Sequence, residues 1–307
     1  MIQDQASPNS SPPWQQAVLA AIRVVLVAPA GPLNIGSVAR VMKNFGLTRL
    51  VLVQPQCDPF GEEAMHMAVH AKDVLAQATV VDSIPAALTN CVRAIATTAR
   101  PRGFNATLEL PEVLFPPIFA AERPIETALM FGPEDRGLSN EELTYAQQYL
   151  KIDTDDGYPA LNLAQAVAVC CYELSRSARL NKLRTAETAP EAAAAPLPPL
   201  RNSPLSDKQT ESTTGDVAIT NVKTSENKVS EDKISKNIAP LNELEGYYQH
   251  LESFLLQVGY LHPHTAASRM RKFRQLLHRA APTANEVALL RGILRQAEWA
   301  LSDSKKG

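Results

Sequence analysis

The sequence has no apolar run long enough to cross a membrane, because the stretch from Val18 to Ala30 is interrupted by Arg23 and a helical span needs about twenty apolar residues. Its polar opening lacks the basic n-region and apolar h-region of a signal peptide. Cysteine is scarce: Cys57, Cys91, Cys170 and Cys171 are the only four in 307 residues, and they lack metal-ligand spacing. The six histidines have no supporting carboxylate or cysteine constellation, and His262 and His264 merely flank a proline. No metal site is therefore indicated. A reduced, cytoplasmic protein without a membrane partner is the expectation. The formal charge of −2 predicts no partner either.

A further absence is local. Residues 181–240 contain no Phe, Trp, Tyr or Cys, and run through Ala192–Ala195 and a Pro-rich piece into a Ser/Thr/Lys/Glu/Asn-rich tract. Such a composition cannot bury enough apolar surface to offset its ordering entropy, which predicts a disordered linker. Residues 1–20, rich in Ser, Pro and Gln, read as a flexible tail. The domain proper is expected over 21–180. Residues 241–307 should form a helical extension too small for a core of its own and expected to dock on something.

What is present between the tail and the linker is strand–helix alternation. Apolar runs at Ile22–Ala28, Leu50–Gln54, Val80–Asp82, Val92–Thr97, Thr127–Phe131 and Leu150–Asp153 read as strands. Helical patterns lie near Asn34–Phe45, Glu62–Ala71, Ile84–Asn90, Asn140–Gln147 and Asn162–Ala178. This predicts an α/β fold with a mostly parallel sheet and helices on both faces. Asn34 can cap the first helix, and Gly46 sits where a left-handed C-terminal residue is expected. Ser139 with Glu142, and Thr283 with Glu286, have capping-box spacing. Ile35, Val38, Met42 and Phe45 form one stripe of the first helix, with Arg40 nearly opposite. A glycine one turn before that arginine, Gly36, marks a place where a backbone or phosphate can come close. Cys170 and Cys171 fall in an apolar helix and read as small core residues.

Three segments carry the chemistry: Asn34-x-Gly36-x-x-Ala39-Arg40, Gly132-x-Glu134-x-x-Gly137-Leu138 and Tyr158-Pro159-Ala160-Leu161-Asn162-Leu163-Ala164. Their identity and order resemble the SpoU (TrmH-like) branch of the SPOUT RNA 2′-O-ribose methyltransferases. The likeness covers roughly residues 22–180 and, more loosely, 241–301.

The resemblance implies a deep trefoil knot in the C-terminal part of the domain, a homodimer with composite active sites, S-adenosyl-L-methionine as methyl donor and tRNA as substrate. It implies methylation of a cytidine or uridine at position thirty-two of the anticodon loop. The same chemistry on ribosomal RNA or another tRNA site, and a non-catalytic RNA-binding role, are the alternatives. Arg40, Glu134 and Asn162 are the implied catalytic residues. The donor would be held by Thr97, Thr98, Ala99, Gly132, Ile152, Pro159, Ala160 and Leu161. Ala160 departs from the pattern, which has serine there, and a lost hydroxyl contact costs about 1 kcal/mol.

Candidate RNA contacts are Asn34, Arg100 and Arg102, together with Arg271, Lys272 and Arg274 of the extension. From His262 to Arg279 the chain holds five Lys or Arg, three His and no acid. A solvated helix face would explain that stretch equally well.

Overall fold

The computed structural model describes residues 13–99, 107–155, 157–187 and 238–304. Seven strands form the sheet: β1 (Ile22–Val27), β2 (Arg49–Val53), β3 (Thr79–Val81), β4 (Arg93–Thr97), β5 (Leu108–Glu109), β6 (Thr127–Phe131) and β7 (Gln148–Leu150). All pairings are parallel, in the order β3-β2-β1-β6-β4-β7-β5. The helices are α1 (Pro13–Ala20), α2 (Pro32–Asn44), α3 (Glu62–Ala68), α4 (Lys72–Ala76), α5 (Ile84–Ala87), α6 (Pro111–Leu114), α7 (Pro116–Ala120), α8 (Asn140–Leu143), α9 (Leu163–Glu187), α10 (Leu241–Gln257), α11 (Pro263–Ala280) and α12 (Ala284–Ser304).

Side chains alternate across the sheet, as the pleat requires. Ile22, Val24, Leu26, Leu50, Leu52, Ile95, Leu129 and Phe131 face a core built with α1–α4, α6, α7 and α9. Val25, Val27, Val51, Val53, Ala94, Ala96, Ala128 and Met130 face a second core, closed by α5, α8 and the three C-terminal helices. The parallel sheet covered on both faces is the expected class. The extension does dock, and its dock is the second face: Leu241, Leu244, Tyr247, Tyr248 and Leu251 of α10 are buried there. Its backbone is tied in as well, since Leu241 N donates to Cys91 O at 2.8 Å.

Several expectations change. Residues 13–20 belong to no loose tail; they form α1, which buries Val18 and Leu19, and Gln15 Nε2 donates to Ala178 O at 2.5 Å. Helix α9 runs to Glu187, into the expected linker, of which 188–237 lies outside the described residues. The last strand ends at Leu150, so Ile152 belongs to the outgoing loop. Strand β5 and helices α6 and α7 were not anticipated: two residues are too few for an alternation, and prolines open both helices.

Asn34 does not cap α2. Gly31 occupies the cap, Pro32 opens the first turn, and Asn34 sits within it. At the other end Gly46 does turn left-handed, φ +77°. Its N–H donates to Lys43 O while Leu47 N donates to Met42 O, the paired bonds of a Schellman ending. Both capping boxes form. Gly36 is explained by packing: a Cβ there would lie 2.3 Å from the Ala64 carbonyl oxygen of α3. The group that approaches this glycine is a neighbouring helix backbone.

Candidate active site

Strands β1 and β6 are neighbours, but the chain after β1 enters α2 on one face while the chain after β6 leads to α8 on the other. Such divergence opens a crevice outside the carboxyl ends of parallel strands. A cleft of about 280 Å³ lies beside that point, beyond Thr97, Phe131 and Leu150, which end β4, β6 and β7. It is near the lower limit of small-ligand pockets, about 300 Å³.

Thr97, Thr98, Ala99, Gly132, Ile152, Pro159, Ala160 and Leu161 all line this cleft. Three separate loops bring them together, which their sequence separation alone does not reveal. The walls are mostly apolar, from Phe131, Leu138, Leu150, Ile152, Leu161, Leu163 and Ala166. The lining also holds two acidic residues, Glu134 and Asp135. The cationic group in the lining, Arg136, is engaged in a fork to Glu142, with Nη1 and Nη2 donating at 2.8 and 2.9 Å. Thr97 Oγ1 is also engaged, donating to Met130 O at 3.0 Å. This lining, apolar walls together with two carboxylates, suits a ligand that joins a flat ring to a cationic centre.

Gly132 is needed for the loop itself. A Cβ on it would stand 2.2 Å from both Gly137 C and Leu138 N. The same loop turns on Gly137, φ +66°, whose N–H donates to Pro133 O at 2.9 Å.

A directed hydrogen-bond chain starts from Glu134 of the cleft lining. Glu134 accepts from Ala30 N (3.1 Å), Gly31 N (3.2 Å) and Asn34 Nδ2 (2.7 Å). Asn34 Oδ1 accepts from Asn162 Nδ2 at 3.0 Å, and Asn162 Oδ1 accepts from Ala164 N at 2.9 Å. Each amide orientation is thereby fixed by the next, and the three sequence segments meet in one network. Asn34 gives one donor and one acceptor of its amide to this chain and so holds the loops together. Asn162 both caps α9 and belongs to the chain.

Burial opposes ionisation of Glu134, but the bonds from Ala30 N, the Asn34 amide and Gly31 N outweigh it and hold the carboxyl below its usual range. A depressed folded value means that this contribution is complete above the ordinary carboxylate pKa, about 4.3, and is lost as pH falls through the lower folded value. Glu134→Gln should therefore lower stability at neutral pH and flatten the acid loss in that window. Urea midpoints from neutral to about pH 2.5 measure both effects. A variant as acid-sensitive as the parent would remove the charge from this account.

Arg40 is exposed on α2, does not line the cleft of its own chain and has no hydrogen bond or ion pair among the described residues. Arg100 and Arg102 lie outside the described residues. On α11, Lys272 is exposed and Arg271 is half-buried. Arg274 cannot serve as an RNA contact: its guanidinium forks to Glu245 at 2.5 and 2.9 Å with only 13% of the side chain exposed. It also stacks 4.5 Å from the Tyr248 ring centroid and 5.1 Å from that of Tyr145. Sequence spacing could not separate this buried arginine from the exposed Lys272, because α11 presents different faces at each step. The clamp Arg136–Glu142 was also missed, its signal hidden because Glu142 was already explained as a capping residue.

The model of the SpoU rRNA Methylase family matches residues 21–172, and that of the tRNA methyltransferase TrmJ C-terminal domain matches residues 242–306. A Pectobacterium atrosepticum protein named tRNA (cytidine/uridine-2′-O-)-methyltransferase TrmJ is 33% identical over 283 residues, spanning 90% of this chain and 96% of its own. A Pseudomonas aeruginosa protein, tRNA (cytidine/uridine/adenosine-2′-O-)-methyltransferase TrmJ, is 36% identical over 278 residues, spanning 90% and 93%. Among solved structures, TrmJ from Z. mobilis superposes with a TM-score of 0.66 at 28% identity, over 90% of this chain and 98% of that one.

Proposed function

This chain belongs to the SpoU methylase family, in its TrmJ branch, and from that premise we propose that it is a tRNA 2′-O-methyltransferase that uses S-adenosyl-L-methionine. The observation that carries the reading is that two of the three sequence segments line one cleft and the third is tied to both of them by the chain Glu134–Asn34–Asn162. The apolar walls suit an adenine ring, and the carboxylates in the lining suit a cationic centre. When bound, the donor supplies an electrophilic methyl carbon on a sulfonium. The loops Thr97–Ala99, Gly132–Leu138 and Pro159–Leu161 would hold it. Ala160 leaves the backbone of its loop free to contribute, so the missing serine hydroxyl weakens one contact without emptying the site.

The protein must then make a poor nucleophile, a ribose hydroxyl, reactive. That requires loss of its proton or stabilisation of the developing oxyanion. Arg40 offers a fixed fork of donors to hydroxyl and phosphate, but a guanidinium stays protonated and cannot take the proton itself. Phosphate or water is the acceptor. Because Arg40 is exposed and absent from the lining of its own cleft, it serves the cleft of a second copy. A homodimer is further supported by the apolar stripe that α9 exposes, Val169, Tyr172 and Leu180, at helical spacing and 36–48% exposed. The target is a pyrimidine at position thirty-two of the anticodon loop, in a cytoplasmic setting.

Mass mapping of ribose methylation in tRNA from cells with and without the gene tests the target, and calorimetry tests uptake of the donor. Loss of one methyl at a pyrimidine of the anticodon loop is the expected result. Loss at another site retains the chemistry and moves the target. A folded protein that takes up no donor refutes the enzyme.

A further inference from the structure

The C-terminal helices do more than cover the sheet. The chain leaving the cleft runs through the Gly132–Leu138 loop into α8 and on to Tyr145 and Ala146. At its start Arg136, in the cleft lining, forks to Glu142 of α8. At its end Tyr145 receives the guanidinium of Arg274 against its ring, 5.1 Å from the centroid. His278, one turn further along α11, sets its ring edge-on to Tyr248, 5.9 Å between centroids. Burial, with the Arg274 charge adding, holds His278 down at about 4, so its imidazole is neutral at ordinary pH. Arg274 is itself fixed from the far side by Glu245 and Tyr248 of α10. Leu138 of the cleft wall and Leu143 and Ala146 beyond it are buried in one apolar cluster with Tyr248 and Met270.

Two arginine clamps thus hold a single short segment from opposite ends. One reaches into the cleft and the other into the C-terminal helices. We propose that Arg274 is a positioning residue for the active site: by fixing the segment 139–146 it sets the conformation of the Gly132–Leu138 loop, so the C-terminal helices control the affinity of the cleft. The inference rests on reading that cleft as the methyl-donor site. Coupling through the segment is reciprocal, so donor binding in turn stiffens the platform that carries the basic face of α11.

Removing Arg274 alone would leave Glu245 buried and uncompensated, which can unfold the chain. The test variant is therefore Arg274→Met with Glu245→Gln in the full-length protein, where both charges are withdrawn together. Amide hydrogen exchange without ligand is expected to rise at least about tenfold across 132–143, while β1 and β6 keep their protection. The dissociation constant for S-adenosyl-L-methionine should rise at least about fivefold. Adding Arg136→Ala should weaken binding by less than its effect in the parent, because both clamps act on one segment. Exchange and affinity within twofold of the parent overturn the proposal, and so does a rise in exchange spread evenly over the sheet. Should the parent protein itself bind no donor, the methyl-donor reading fails, while exchange at 132–143 still reports on the clamp.

Discussion

Arg40→Ala is expected to reduce methyl transfer by on the order of 10²–10³-fold, the loss typical of removing one donor to a developing oxyanion. The fold should not suffer. Arg40 is exposed and has no partner among the described residues, and alanine is the best helix former. Donor affinity should also hold, because Arg40 is absent from the cleft wall. The expected signature is a lower kcat with unchanged donor binding and unchanged oligomeric state, read by single-turnover kinetics, calorimetry and light scattering. Arg40→Lys should recover little, since an ammonium replaces the planar fork with a point charge. A near-parental rate for Arg40→Ala would remove the arginine from the mechanism.

Much of this arrangement was legible in the residues. The parallel sheet follows from short apolar runs alternating with helical periods, and each run appears as a strand within a few residues. Two capping boxes and the Gly46 ending were readable because their chemistry is local. Reading failed where a residue's role depends on a distant neighbour. Gly36 stands one turn before Arg40 and suggests a substrate approach, yet the atom that forbids a Cβ is the Ala64 carbonyl oxygen, 28 residues away in sequence. Asn34 has a good capping side chain, but Pro32 starts the helix earlier and Glu134, a hundred residues on, claims its amide. Arg274 lies in a basic stretch, and only the placement of Glu245, Tyr248 and Tyr145 around it reveals a buried clamp. The start of α1 was lost to composition: a Ser- and Pro-rich opening obscured the two apolar residues, Val18 and Leu19, that anchor it.

Gly132→Ala should abolish donor binding while the sheet survives. The added Cβ would lie 2.2 Å from two backbone atoms, Gly137 C and Leu138 N, and no side-chain rotation can relieve a clash with backbone. The loop must move, and Leu138, part of the cleft wall and 3% exposed, moves with it. Overpacking of this kind costs about 1–3 kcal/mol, which a domain of this size registers as a fall of about 2–4 °C per kcal/mol. Donor affinity should fall more than tenfold. Gly137→Ala is the control: a Cβ there meets nothing within 4 Å, and its cost is the left-handed backbone alone, about 1–2 kcal/mol. Donor binding within twofold of the parent in Gly132→Ala would show that the loop is not part of the cleft. The two inactive variants together also test where Arg40 acts. An Arg40→Ala chain keeps an intact cleft and a Gly132→Ala chain keeps its arginine, so a mixed dimer holds one complete composite site. Random pairing restores about a quarter of the parental sites, whereas an arginine acting within its own chain restores none.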